Sequence, residues 1–160
     1  MDVLILKKVL VAYDFSPSAD RALTMGTGIA AKFDADVIVA NVVDQRNIDA
    51  IEHAVNRAIL AKIPETPDDM VREYKENRLQ KLQAALKPFM KSGARIKLKI
   101  RVGPPVQEIL GLAEEQAVDL IVMGARGHSR LTRMLTGSKA ESLFRISSIP
   151  ILSVRREEDF

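Results

Sequence analysis

Short, largely apolar runs alternate with longer segments of helical periodicity along this chain of 160 residues. The clearest of these runs cover residues 9–12, 36–43 and 118–123. Runs of this kind are typical of strands that a parallel sheet buries on both faces. Residues 96–102 instead alternate apolar with basic side chains, which predicts a half-buried strand at one edge of the sheet. A last strand is predicted from Ile149 to Val154, and Pro150 within it favours the other edge.

The segments between the predicted strands carry apolar residues at helical spacing. Ser16 is a good N-cap for the first helix, and Pro17 suits its first helical position. The apolar face of this helix is predicted to consist of Ala19, Ala22, Leu23, Gly26, Ile29, Ala30 and Phe33. A longer helix is predicted from about Asp68 to Met90. Its apolar face is predicted to consist of Val71, Tyr74, Leu79, Leu82, Ala85, Leu86 and Phe89.

Two further helices are predicted, one from Pro104 to about Gln116 and one after Gly137. The pattern loosens between about residues 44 and 67, which predicts an irregular or helical insertion. Whether this insertion caps a site, contacts a second subunit or is a plain surface feature stays open. Strands that alternate with helices predict one α/β domain over residues 1–160, a doubly wound parallel sheet with helices on both faces.

Composition excludes several classes of function. The chain has no cysteine, which excludes disulfides, thiol catalysis and cysteine–zinc sites, and its two histidines, His53 and His128, lie far apart. The net charge of +3 is mild, and two tyrosines and five phenylalanines offer few stacking platforms, so no nucleic-acid partner is expected. No apolar run approaches the roughly 18 residues that span a bilayer, and residues 1–6 do not resemble a signal peptide. A cytoplasmic protein without a membrane partner is expected.

The segment that follows the third buried run carries the strongest functional signal. Gly124 and Gly127 are three residues apart, and nine residues then separate Gly127 from Gly137 and Ser138. Strand, glycine-rich loop and helix N-terminus in this order are typical of phosphate sites, because glycine lets backbone N–H groups approach an anion. The basic side chains of this segment are Arg126, His128, Arg130, Arg133 and Lys139. A small polyanion fits this charge better than a long duplex, and a solvated surface loop is the alternative.

The Gly-x-x-Gly, nine residues and Gly-Ser resemble the nucleotide-binding signature of the universal stress protein family, in its ATP-binding branch. The resemblance continues, in the family's order, at residues 8–16, 102–105 and 149–155. It implies a five-stranded sheet of order 3-2-1-4-5, the adenine nucleotide alpha hydrolase-like fold. In that order the carboxyl ends of strands 1 and 4 meet at the topological switch point, where ligands bind.

By this resemblance, ATP or a related adenine nucleotide lies across the carboxyl ends of strands 1, 2 and 4. The residues implied around the adenosine are Ala12, Tyr13, Asp14 and Val42. Those implied in the first phosphate loop are Met123, Gly124, Ala125, Arg126, Gly127, His128, Ser129 and Arg130. Those implied in the second phosphate element are Gly137, Ser138, Lys139 and Ala140.

One departure concerns the second phosphate element. ATP-binding relatives usually place a small apolar residue and then Ser or Thr after Gly-Ser, where this chain has Lys139 and Ala140. The lost hydroxyl is offset by the added charge, so binding is expected to survive with a changed preference for the number of phosphates. Mg²⁺ or Mn²⁺ is expected to arrive with the nucleotide, with Asp14 as its possible protein contact through water. Asp14 is equally consistent with a plain helix-initiating residue.

Three functions stay open. The first is a nucleotide-binding regulatory or stress-response module that forms a homodimer through the strand from Ile149 to Val154. The second is a slow ATPase or an adenylate-handling enzyme, although no catalytic residue stands out and His128 is the one general-base candidate in the loops. The third is a dimeric scaffold that has lost its nucleotide, which the intact glycines argue against. A receiver-like signalling domain is a weaker alternative, because strand 1 ends in a single acid, Asp14.

Overall fold

The structure, a computed structural model, describes residues 5–60, 66–90, 93–125 and 144–155. In chain order the elements are β1 (Lys8–Ala12), α1 (Pro17–Phe33), β2 (Asp36–Val43), α2 (Gln45–Leu60), α3 (Pro67–Met90), β3 (Ile96–Val102), α4 (Pro105–Glu115), β4 (Leu120–Gly124) and β5 (Ile151–Val154). Residues 144–146 are also helical. The strands β2 and β3 have the bounds that the sequence predicts.

The strands of the described residues form one parallel sheet in the order β3-β2-β1-β4-β5. This confirms the predicted order and both predicted edges. The side chains of the central strand β1 alternate between two apolar clusters. Val9 and Val11 pack with residues of α1 and α3, whereas Leu10 packs with residues of α4. Helices therefore cover the sheet on both faces, as a strand without polar positions predicts.

Helix α1 begins as the sequence predicts. Ser16 has extended backbone, and its Oγ accepts a hydrogen bond from the N–H of Ala19 at 3.1 Å, while Pro17 occupies the first helical position. At the other end, Asp34 adopts a left-handed φ of 53°, and its N–H donates to the Ala30 carbonyl. The cap at Ser16 starts α1 just after β1 ends, at the carboxyl edge of the sheet.

Two strands begin later than the sequence predicts. β4 begins at Leu120 because Asp119 forms the turn before it, where its carboxylate accepts hydrogen bonds from two backbone N–H groups at the start of β1, at 2.7 and 2.8 Å. β5 begins at Ile151 because Pro150 has no N–H with which to join the ladder. Its carbonyl still accepts from an N–H of β4, at 2.9 Å.

Two apolar residues predicted to face the core are largely exposed. Phe33, at 44% exposure, is the last residue of α1 and lies beside the turn into β2. Leu79, at 38% exposure, lies beside the buried stripe of α3 rather than within it. That stripe advances in steps of four residues through Tyr74, Arg78, Leu82 and Leu86. An arginine therefore occupies a position where the apolar pattern predicts none.

Within the segment at about 44–67, the described residues contain α2, which packs against α3. β3 is largely half-buried, as its alternation predicts.

The middle of α1 packs closely on the sheet at Gly26. A Cβ there would lie 2.5 Å from Cγ2 of the fully buried Val11. We expect Gly26→Ala to lower the free energy of unfolding by about 1–2 kcal/mol, because the overpacking cost exceeds the gain of about 1 kcal/mol in helix propensity. Gly28→Ala, where no atom lies within 4 Å of the added carbon, is the matched control and should be stabilising. Urea unfolding of the two variants measures the contrast, and equal effects would contradict the packing.

Candidate functional site

The carboxyl ends of β1 and β4 lie side by side in the middle of the sheet. Ala12, the last residue of β1, is in register with Ala40 of β2 on one side and with Met123 of β4 on the other. The chain leaves β1 through α1 on one face of the sheet, and α4 leads into β4 on the other face. This is the topological switch point at which ligands of doubly wound sheets bind.

An apolar wall lines the α4 face of this point. Ala12 and Val42 both pack against the cluster under α4 and both stay partly exposed. The neighbouring Met123 is buried. Asn41 and Val43 are buried on the opposite face, as the alternation of a strand predicts. The wall is thus made of small and branched apolar side chains at the ends of two adjacent strands.

Tyr13 lies on the other face and is 5% exposed. Its N–H donates to the Ala40 carbonyl at 2.8 Å, and its carbonyl accepts from the side-chain amide of Asn41 at 2.7 Å. Its hydroxyl donates to a carboxylate oxygen of Asp20 at 2.5 Å. Burial first, then the hydrogen bond and charge of Asp20 and the charge of Asp14, raise the pKa of the Tyr13 phenol well above its usual value. Tyr13 therefore stabilises the end of β1 from the face of the sheet opposite the apolar wall.

The turn after β1 is held in a strained conformation. The Asp14 carboxylate accepts a hydrogen bond from the N–H of Ser16 at 3.1 Å, which is the helix-initiating contact considered from the sequence. Phe15 has a φ of +65°, in the left-handed region that residues with a Cβ rarely adopt. Its ring meets the Tyr13 ring edge-on, with centroids 5.3 Å apart. Such a conformation persists only where the surroundings fix it.

Gly124 brings the end of β4 against the first turn of α1. A Cβ on Gly124 would lie 2.5 Å from the Ser18 Oγ, 2.7 Å from the Ser18 carbonyl carbon and 2.9 Å from the Ala19 nitrogen. The next residue, Ala125, donates its N–H to the Val154 carbonyl of β5 at 2.7 Å. Glycine is therefore required here for close packing, in addition to the phosphate role that the sequence predicts.

Two residues that the sequence analysis did not select belong to this region. Asn41 is fully buried in β2, and its amide oxygen accepts from Nε of Arg78 at 2.9 Å. Arg78 also donates to the Tyr74 hydroxyl at 2.8 Å, and its guanidinium lies over the rings of Phe15 and Tyr74, at 5.3 and 5.5 Å. Two features of the sequence could have indicated them: Asn41 is a polar residue inside a buried apolar run, and Arg78 lies four residues before Leu82, on the apolar face of its helix.

Known proteins resemble this chain over nearly its whole length. The profile of the universal stress protein family matches residues 6–155. The chain belongs to this family. Universal stress protein MJ0577 of Methanocaldococcus jannaschii is 32% identical over 155 residues, which cover 94% of this chain and 96% of the relative. Universal stress protein YxiE of Bacillus subtilis is 31% identical over 149 residues, or 92% of this chain and 98% of the relative.

Solved structures of universal stress proteins share the fold. The structure of MJ0577 is 29% identical, has a TM-score of 0.75, and is matched over 96% of this chain and 99% of that chain. A universal stress protein solved in complex with cAMP is 27% identical, with a TM-score of 0.61, over 94% of this chain and 98% of that chain. The predicted family and the predicted fold are therefore both confirmed.

The described residues cover only part of the family's predicted nucleotide site. Ala12, Tyr13, Asp14, Val42, Met123, Gly124 and Ala125 lie together at the ends of β1, β2 and β4. The other predicted residues, which lie outside the described part of the chain, are Arg126, Gly127, His128, Ser129, Arg130, Gly137, Ser138, Lys139 and Ala140. Their phosphate contacts remain predictions.

The described residues include no cluster of three or more His, Asp or Glu side chains that would hold a metal ion by themselves. Among the helices that the structure describes, none is long and apolar enough to cross a membrane.

Gly124 offers a direct test of the packing at the end of β4. We expect Gly124→Ala to lower the free energy of unfolding by about 1–3 kcal/mol, because the new carbon meets backbone atoms of α1 that cannot rotate away. Gly111→Ala in α4, where no atom lies within 4 Å of the added carbon, should raise it slightly. Chemical unfolding measures both, and a neutral Gly124→Ala would show that α1 does not pack as described.

The raised pKa of Tyr13 predicts that the free energy of unfolding falls at alkaline pH. Tyr13→Phe should lower the free energy of unfolding at pH 8 by about 1 kcal/mol, because the hydrogen bond to Asp20 is lost. The unfolded phenol ionises near pH 10. The folded phenol, with its raised pKa, stays protonated there, so wild-type stability falls as pH rises through that value. The gap between wild type and Tyr13→Phe should therefore shrink above about pH 10. Urea unfolding at several pH values measures it, and a constant gap would refute the linkage.

Proposed function

We propose that this universal stress protein binds an adenine nucleotide, ATP or a close relative, at the carboxyl ends of β1, β2 and β4, and that it acts as a dimeric regulatory or stress-response module. The observation that carries the proposal is the switch point itself, where a partly exposed apolar wall lies next to the start of a glycine-rich loop. The relative solved with cAMP supports an adenine nucleotide as the ligand class.

The base and ribose would lie on the α4 face. Ala12 and Val42 supply apolar surface for the base, and backbone groups at the strand ends read its edge. Tyr13 would stabilise the strand end from the opposite face and not contact the ligand through these groups, because its N–H, carbonyl and hydroxyl each have a protein partner. Asp14, two residues after Ala12 at the start of the turn, would meet the ribose hydroxyls.

The phosphates would follow the chain beyond Gly124. Ala125 donates its N–H to the Val154 carbonyl of β5, and Gly124 before it lies against the first turn of α1. Residues 126–130 and 137–140 then supply backbone N–H groups and basic side chains by the family signature. Mg²⁺ or Mn²⁺ would bridge the phosphates, with Asp14 contacting it through water, since Mg²⁺ commonly needs few protein ligands in such sites.

The homodimer would form along β5. This strand pairs with β4 on one side, and its other edge is open within the described sheet. Ile151 and Leu152 are partly exposed, and Phe144 and Ile146 just before the strand are exposed apolar residues. An open apolar edge of this kind is stabilised by a second copy of the same edge.

Nucleotide content tests the proposal. Denatured wild-type protein, analysed by chromatography and mass spectrometry, should release adenine nucleotide, or the empty protein should bind Mg-ATP in calorimetry. Gly127→Val should abolish binding, because a branched side chain blocks the approach of phosphate to the backbone. Gly111→Val, on the exposed side of α4, is the matched control and should bind as wild type does.

The same measurement separates the three functions left open by the sequence. A module retains its nucleotide with little phosphate release, and an enzyme shows ADP and phosphate that fall in Arg126→Ala or His128→Ala. Absence of nucleotide together with no thermal shift on adding Mg-ATP would overturn the proposal and favour the scaffold.

A further inference from the structure

The side chain of Arg78 contacts Phe15 in the strained turn that follows β1 and is linked through Asn41 to Tyr13 at the start of that turn. Through the amide of Asn41 it reaches the Tyr13 carbonyl, since Nε of Arg78 donates to Oδ1 of Asn41 at 2.9 Å and Nδ2 of Asn41 donates to that carbonyl at 2.7 Å. Its guanidinium lies directly over the Phe15 ring, 5.3 Å from the centroid. Asp14 lies between these two held residues.

These contacts account for a conformation that the sequence alone would not favour. A φ of +65° at Phe15 is unfavourable for a residue with a Cβ, and it needs fixed surroundings. The ring is fixed on one side by the Tyr13 ring and on another by the guanidinium. The buried amide of Asn41 is used at both its oxygen and its nitrogen, so losing either partner leaves a polar atom unsatisfied.

We propose that Arg78 is a positioning residue, which sets the turn from Tyr13 to Ser16 and thereby the place of the Asp14 carboxylate and of the first turn of α1. In this role a helix remote in sequence determines the geometry of the strand end. That the positioned groups serve a nucleotide rests on the proposed function, whereas the effect on the turn does not.

Arg78 is half-buried and lines a pocket at the protein surface, so its side chain can be shortened without uncovering the apolar core. Its side chain lines a cavity of about 380 Å³ together with Phe15, Tyr74, Asn77 and Lys81. Water can therefore occupy the space that a shorter side chain leaves. Leu82 and Leu86, which anchor α3 on the sheet, are one and two turns further along the helix and are not in this cavity.

The test uses the full-length protein and four variants, two at Arg78, one at Arg72 and one at Asn41. Arg78→Met removes the hydrogen bonds and keeps the length of the side chain, and Arg78→Lys keeps the charge. Arg72→Met is the matched control, because Arg72 lies on the same helix and pairs with Asp69 at the surface. Hydrogen exchange at the backbone amides of residues 14–16 and 18, measured without nucleotide, reports on the turn, and calorimetry with Mg-ATP reports on binding.

We expect exchange in the turn to accelerate about tenfold or more in Arg78→Met, as the loss of hydrogen bonds to a charged group implies. Affinity for Mg-ATP should weaken by a similar factor, Arg78→Lys should recover part of both effects, and Arg72→Met should change neither. Asn41→Asp, which keeps an acceptor for Arg78 but removes the donor to Tyr13, should also accelerate exchange.

The outcomes separate this inference from the proposed function. Unchanged exchange in both Arg78→Met and Asn41→Asp overturns the positioning role, whether or not the wild type binds nucleotide. Faster exchange with unchanged affinity overturns the link between the turn and the site. A wild type that binds no nucleotide overturns the proposed function, and faster exchange in the variants would then still support the effect of Arg78 on the turn.

Discussion

The close packing of α1 on β1 and β4 is the constraint on which the rest of the structure depends. It is made at two glycines, one in the helix and one in the sheet. Gly26 lets the middle of α1 approach Val11, and Gly124 lets the end of β4 approach Ser18 in the first turn. A side chain at either position would push the helix away from the sheet. Because both contacts hold, the N-terminus of α1, the end of β1 and the start of the loop after β4 occupy one small region.

The fold could be predicted from the sequence where local chemistry decides it. Ser16 and Pro17 fixed the start of α1 because capping is a matter of adjacent residues. The late start of β4 could not be predicted, because it depends on hydrogen bonds that the Asp119 carboxylate accepts from backbone N–H groups far away in the chain. Leu79 was misplaced for a related reason, since helical periodicity does not reveal which neighbour the helix will meet. Arg78 occupies a position on the inner side of α3 because Asn41 accepts its hydrogen bond and the rings of Phe15 and Tyr74 pack against its guanidinium.

The candidate site shows the same division. The wall of Ala12 and Val42 follows from strand alternation and parallel pairing, both of which the sequence carries. The resemblance to the family grouped Tyr13 with these residues, but the pleat turns its side chain to the opposite face, against Asp20. Sequence position thus predicts which residues lie at the candidate site, and only the structure separates those whose side chains can face a ligand there from those that support the strands. Asn41 illustrates the second group, as a polar residue within an apolar run that a buried strand tolerates only with partners.

The two faces of the sheet at the strand ends therefore have different roles. The α4 face offers exposed apolar surface, while the face of α1 and α3 holds the backbone of the same strands through buried hydrogen bonds. If the proposed ligand on one face and Arg78 on the other both depend on the geometry of this turn, their free energies are linked. Whatever fixes Arg78 against Asn41 would then favour the ligand, and a bound ligand would favour that contact to the same extent, since coupling between two binding equilibria is reciprocal. Binding at the site would therefore stabilise the contact that Arg78 of α3 makes with Asn41, although α3 contributes no residue to the exposed wall.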